Sequence, residues 1–141
     1  ELVEGRRIAV SAGAGSSTAG LGGGSVWVSA TPAEGVSLET LEAAVDEVIA
    51  AYLREGPTDA ELARAKSSLA AGAVYARDSQ ESLANIYGSS LAQGESIDDV
   101  VNWANDIEAV TRDEAIAMAR TTLDMNASVT GWLMPPAEGA Q

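Results

Sequence analysis

The sequence contains no histidine and no cysteine. Without those side chains the usual catalytic zinc sites cannot be assembled from this chain. A Ser-His-Asp or Cys-His apparatus is excluded on the same ground. The missing cysteine also rules out disulfides and leaves the redox compartment unreadable. Positive charge is scarce: 8 Lys and Arg stand against 21 Asp and Glu, a net charge of −13. A nucleic-acid partner requires a basic stripe, which this chain lacks. Docking on an anionic membrane is disfavoured for the same reason. No apolar run reaches transmembrane length, so membrane insertion is not expected, and no signal peptide is legible. The carboxylates read as solvated helix faces and acidic first turns.

What is present fits one domain over residues 1–141, long enough to hold a core. The chain begins at Glu1 without an initiator Met, and residues 135–141 are a polar tail or linker. The expectation is a piece of a longer polypeptide. Residues 6–14 predict a strand, with Ile8, Val10 and Ala12 alternating with Ala9, Ser11 and Gly13. Residues 15–24 predict a loop of glycine and serine. Residues 25–31 predict a second strand, with Val26 and Val28 on one face and Trp27 on the other. Together they read as an antiparallel hairpin.

Helical spacing then takes over. Ser37 caps a helix to about Glu55, with a stripe of Leu38, Leu41, Val45, Val48, Ile49 and Tyr52. Residues 56–66 end it and start another. Gly56 suits the left-handed position past a helix end, and Pro57 blocks continuation. Thr58 and Glu61 form a capping box, with Asp59 and Glu61 at the positive end of the new dipole. The second helix runs to about Arg77 along Leu62, Ala65, Leu69 and Ala73. Ser79 caps a third, through Leu83, Ile86, Tyr87 and Leu91, closed by Gly94. Ser96 caps a fourth, carrying Ile97, Val100, Val101, Ala104 and Ile107. Thr111 and Glu114 form a second capping box, opening a fifth with Ile116, Ala119 and Leu123. Residues 127–134 predict a closing strand, stopped by Pro135 and Pro136. A lone last strand must pair with the earlier ones. The expected fold is α+β: a mainly antiparallel sheet with about five helices on one face.

Several motifs fail on inspection. Gly13-Ala-Gly15 lacks the third glycine of a dinucleotide loop, and a strand follows it. Residues 124–135 depart from a calcium loop at Val129 and Pro135. Asp98-Asp99 and Asp113-Glu114 fall in helix first turns, where the dipole accounts for them. Trp27, Trp103 and Trp132 read as packing residues, and Arg77-Asp78 as a local ion pair. On residues alone the chain is a scaffold or binding wall, with no catalytic and no metal-ligating residue.

The order of four segments adds a resemblance. Gly56-x-Thr58-x-x-Glu61-Leu62-x-x-Ala65-Lys66 resembles a segment of the insulinase/pitrilysin (inverzincin) zinc metallopeptidases, in the non-zinc C-terminal-type domain of one half. Leu2 to Glu4 through Ala9-Val10-Ser11-Ala12, the Ile107-x-x-Val110-Thr111-x-x-Glu114-Ala115 helix start, and Val129-x-x-Trp132-Leu133-x-Pro135 are similar to further segments in the same order. The resemblance covers nearly the whole chain. It implies a bacterial-type clamshell of two halves enclosing peptides, with zinc held by His-x-x-Glu-His and a distant Glu elsewhere in the parent protein. The implied partners are the other half of the clamshell and peptide substrates. The family's Arg and Tyr that face substrate fall at Val3 and Val10 here, which cannot donate to a peptide carbonyl. That leaves substrate-binding residues unassigned and implies a non-catalytic domain of the endopeptidase, or a structural core subunit on the same fold with no peptidase activity. The family's domain also begins with a strand and a helix before the point matching Glu1. The resemblance tilts the compartment toward the periplasm and away from the cytoplasm.

Overall fold

The computed structural model describes residues 1–17, 23–76 and 78–134. Two strands come first, β1 (Ala9–Ser17) and β2 (Ser25–Pro32), paired antiparallel. Five helices follow: α1 (Leu38–Glu55), α2 (Asp59–Ala76), α3 (Gln80–Ala92), α4 (Ile97–Ala109) and α5 (Arg112–Thr122). A 3-10 turn at Met125–Ala127 precedes an irregular end. No helix among the described residues is long and apolar enough to cross a membrane.

The hairpin differs from expectation at both ends. Residues 15–17 belong to β1 and not to a loop, because Trp27 lies across Gly15 in the facing position. Any Cβ at Gly15 would overlap the indole, so glycine here serves cross-strand packing. The first strand also starts later, at Ala9. A bulge between Ala9 and Ser11 makes the 6–14 alternation slip. Ala9 turns inward and is 4% exposed, while Val10 turns out and is 62% exposed. Beyond the bulge, Ala12 faces Ala30 and Ala14 faces Val28, giving one apolar face. The opposite face carries Trp27 over Gly15 and is otherwise small and polar, with Ser11 Oγ donating to Thr31 Oγ1 at 3.1 Å. Residues 18–22 of the expected loop and residues 135–141 lie outside the described residues.

The closing strand over 127–134 does not form. Residues 128–134 make no backbone hydrogen bond to β2 or β1, so the sheet has two strands and is not the main layer. An alternating apolar pattern needs a neighbouring edge within pairing distance, and this segment stands off from β2.

The helices start where their caps predict. Ser37 Oγ accepts from Thr40 N, and Ser79 Oγ from Ser82 N. Reciprocal capping boxes join Thr58 to Glu61, Ser96 to Asp99 and Thr111 to Glu114. Gly94 closes α3 at φ 90°.

Burial is uneven. Leu2, Ala9, Leu41 and Ala44 are the buried hydrophobic side chains, with Ile8, Ala30, Val36, Val45 and Val48 packed around them. No residue of α2, α3, α4 or α5 is fully buried. On α1 the stripe is correct in direction, yet Tyr52 remains 38% exposed. On α2 it holds at both ends and shifts in the middle: Leu62 and Ala73 are half-buried as expected, but Lys66 and Ala70 are half-buried between them, while Ala65 and Leu69 are exposed. The accessible surface totals 10487 Å². A folded monomer of 14.4 kDa exposes about 6,800 Å².

Candidate functional site

Two places concentrate specific geometry: the corner at residues 56–66, and a groove beside β2. At the corner Gly56 has φ 70°, and its N–H donates to Tyr52 O at 2.7 Å. A side chain there would be strained, and its Cβ would overlap Ile116. The corner is thus the seat of α5. Arg112 Nε donates to Pro57 O at 2.7 Å, and Arg112 Nη2 donates to Glu55 O. Arg120 Nε donates to Leu53 O at 3.2 Å. Arg112, Ile116 and Arg120 recur every four residues, one face of α5 against the carboxyl end of α1. The guanidinium groups satisfy carbonyls that a helix end leaves open and complement its negative dipole end. Lys66, the sole lysine, does the same for α4, with Nζ donating to Glu108 O at 2.7 Å.

Glu61 and Glu114 are held below the ordinary carboxylate value by the backbone N–H and hydroxyl of their capping partners, Thr58 and Thr111. Asp99 is lowered in the same way by Ser96. These shifts belong to capping, and none marks an acid or base poised for catalysis.

The groove holds about 610 Å³. Its floor is one face of α1, carrying Leu38, Leu41, Val45 and Ile49. One wall is β2 and the other is the 122–133 segment. Glu42, Asp46 and Asp124 are its charged lining groups, and no Lys or Arg lines it. Trp132 Nε1 donates to Glu42 Oε2 at 3.0 Å, tying the far wall to the floor.

The tryptophans read as packing residues are each 40% exposed or more, Trp27 at 52%, Trp103 at 40% and Trp132 at 45%. Trp27 and Trp132 both line the groove. Gly13 and Gly15 sit within β1. Asp124 Oδ1 accepts from the N–H and side-chain amide of Asn126. Arg77 lies outside the described residues, so its pairing with Asp78 does too. Val3 is 37% and Val10 62% exposed, Val3 in the opening turns and Val10 at the bulge. The acidic groove rim was missed by sequence reasoning, because Glu42 and Asp124 are distant in the chain. The spacing of Arg112, Ile116 and Arg120 was a visible signal for the α5 clamp.

Among the described residues, no three Asp or Glu side chains come together as metal ligands. The donor set lacks the imidazole and thiolate that zinc favours. The residues present therefore do not fit a zinc site.

Comparison with known proteins gives a fold likeness. A protease from Helicobacter pylori of known crystal structure superposes with a TM-score of 0.74 at 19% identity, over 88% of this chain. This chain spans 30% of that protein's length. No family model matches, and no curated protein matches by sequence. The chain thus shares an α+β fold with part of a protease.

Proposed function

We propose that this chain is a non-catalytic domain of a zinc-dependent endopeptidase of the insulinase/pitrilysin type, helping to wall the chamber that encloses peptides. The observation that carries it is the superposition on part of a protease over nearly the whole chain. The ordered motifs from Leu2 to Pro135 support it. So does the burial: no residue of α2 to α5 is fully buried, which leaves the helical layer open to a neighbouring domain. In this reading zinc and its ligands lie elsewhere in the parent protein. The other half of the clamshell, in the same or a partner chain, covers the open helical layer. This chain supplies shape, while Val3 and Val10 place no donor on substrate.

The test is activity of the native polypeptide captured with antibodies against this chain. Cleavage of a fluorogenic peptide, lost with a chelator and restored by zinc, is the expected result. The 141 residues alone should cleave nothing. A captured protein that lacks chelator-sensitive cleavage and copurifies with a membrane complex overturns the reading, in favour of a structural core subunit.

A further inference from the structure

We propose that Asn126 is an acceptor for N-linked glycosylation, taking an oligosaccharide from a polyprenyl pyrophosphate donor. The inference goes beyond the peptidase reading and does not rest on it.

Asn126-Ala127-Ser128 satisfies the acceptor pattern Asn-x-Ser/Thr, in which x is not proline. The other asparagines are Asn85, Asn102 and Asn105, and the residues two places after them are Tyr87, Ala104 and Ile107. Those asparagines also sit within α3 and α4, where a helix fixes the backbone. Asn126 sits instead in the short 3-10 turn after α5.

Its surroundings suit a bulky addition. Residues 124–130 are all exposed. From Thr122 to Leu133, every residue but Asn126 lines the groove beside β2. The wall therefore turns its one acceptor side chain away from the groove, and a glycan there meets solvent.

The turn can also yield to a transferase. Its hydrogen bonds are internal: Ala127 N donates to Asp124 O at 2.9 Å, and Ser128 Oγ to Met125 O at 2.9 Å. Residues 128–134 make no backbone hydrogen bond to either strand, and the next anchor is Trp132 on Glu42. Such a segment opens locally at low cost, leaving the core at Leu41 and Ala44 in place.

Asp124 bears on the chemistry. Its Oδ1 accepts from Asn126 N–H at 2.9 Å and from Asn126 Nδ2 at 3.0 Å. An amide nitrogen is a poor nucleophile, and a carboxylate drawing on its N–H leaves it richer in electrons. In the transfer, Asn126 Nδ2 bonds to the anomeric carbon of the sugar. The bond from that carbon to the pyrophosphate oxygen breaks, and the polyprenyl pyrophosphate leaves. One amide proton passes to a base of the transferase.

The experiment captures the native polypeptide from its own cells with antibodies against this chain and digests it with trypsin. The fragment that begins at Thr121 is then analysed by mass spectrometry. It should carry the added mass of an oligosaccharide, and electron-transfer fragmentation should place that mass on Asn126. In the same cells, full-length variants Asn126→Gln and Ser128→Ala should lose the added mass, while Ser128→Thr should keep it. Asp124→Asn keeps an acceptor oxygen for the turn but loses the charge, and should lower the modified fraction severalfold. A fragment wholly unmodified in the native polypeptide overturns the inference. So does added mass that persists in Asn126→Gln, or that sits on Thr121, Thr122, Ser128 or Thr130.

Discussion

Residues 1–55 and the helices α2 to α5 are stabilised in different ways. The first region holds the four buried hydrophobic side chains, Leu2, Ala9, Leu41 and Ala44. The second has none, and relies on caps and cationic clamps. Hydrophobic burial is cooperative among distant residues, whereas a cap is made within one turn. The helical region therefore has well-defined ends and a loosely covered interior face. A wall domain completed by neighbouring protein would show that combination.

The contrast can be broken most sharply in the core. Leu41→Ala should cost about 3 kcal/mol, on chemical denaturation, because it opens a cavity beneath the hairpin. Ile107→Ala, the half-buried counterpart on α4, should cost about 1 kcal/mol or less. Equal losses would mean that the helical layer has a core of its own. The next largest effect lies at the junction of the regions. Gly56→Ala places a Cβ in Ile116 at a left-handed φ and should cost about 2 kcal/mol. Adding Ile116→Ala should recover part of that loss, and a thermodynamic cycle measures the coupling. Strict additivity would place the strain in the backbone alone.

The smallest effect comes from pH. Folding depresses Glu61, Asp99 and Glu114, so their caps contribute fully above the ordinary values of 4.5, 3.8 and 4.5. That contribution fades as pH falls below those values and through the depressed ones. Helical circular dichroism should decline over this acid range before the tertiary signal of residues 1–55. Simultaneous loss would make the two regions one cooperative unit.

These two regions also differ in how legible they were. Ser37, Thr58, Ser79, Ser96 and Thr111 announced their helices, because a cap and its partner lie three residues apart. Ser96 proved to carry a full box with Asp99, a pair visible in the sequence but read only as a dipole effect. The shift in the middle of the α2 stripe was not legible. Lys66 turns inward to reach a carbonyl at Glu108, and nothing near position 66 reveals that target. The closing strand at 127–134 had the right pattern, but pairing is settled by the distance to β2. Ala9 and Val10 exchanged roles through one bulge, which the smooth alternation around them conceals. The groove was invisible for the same reason as the strand: its walls are about a hundred residues apart in the sequence.

The inward-turned cations have an outward consequence. Arg112, Arg120 and Lys66 are held on helix carbonyls, and Arg6 lies between Glu1 and Glu47. The carbonyls are neutral, so the clamps keep their charge, and the negative field comes from 21 carboxylates against 8 positive groups. Diffusing anions are turned away, and cationic polypeptides are drawn in faster than chance encounter allows. That capture reaches about 8 Å at physiological ionic strength and shrinks to about 3 Å in molar salt. The surplus of carboxylates thus sets how quickly, and in what medium, this surface meets a partner.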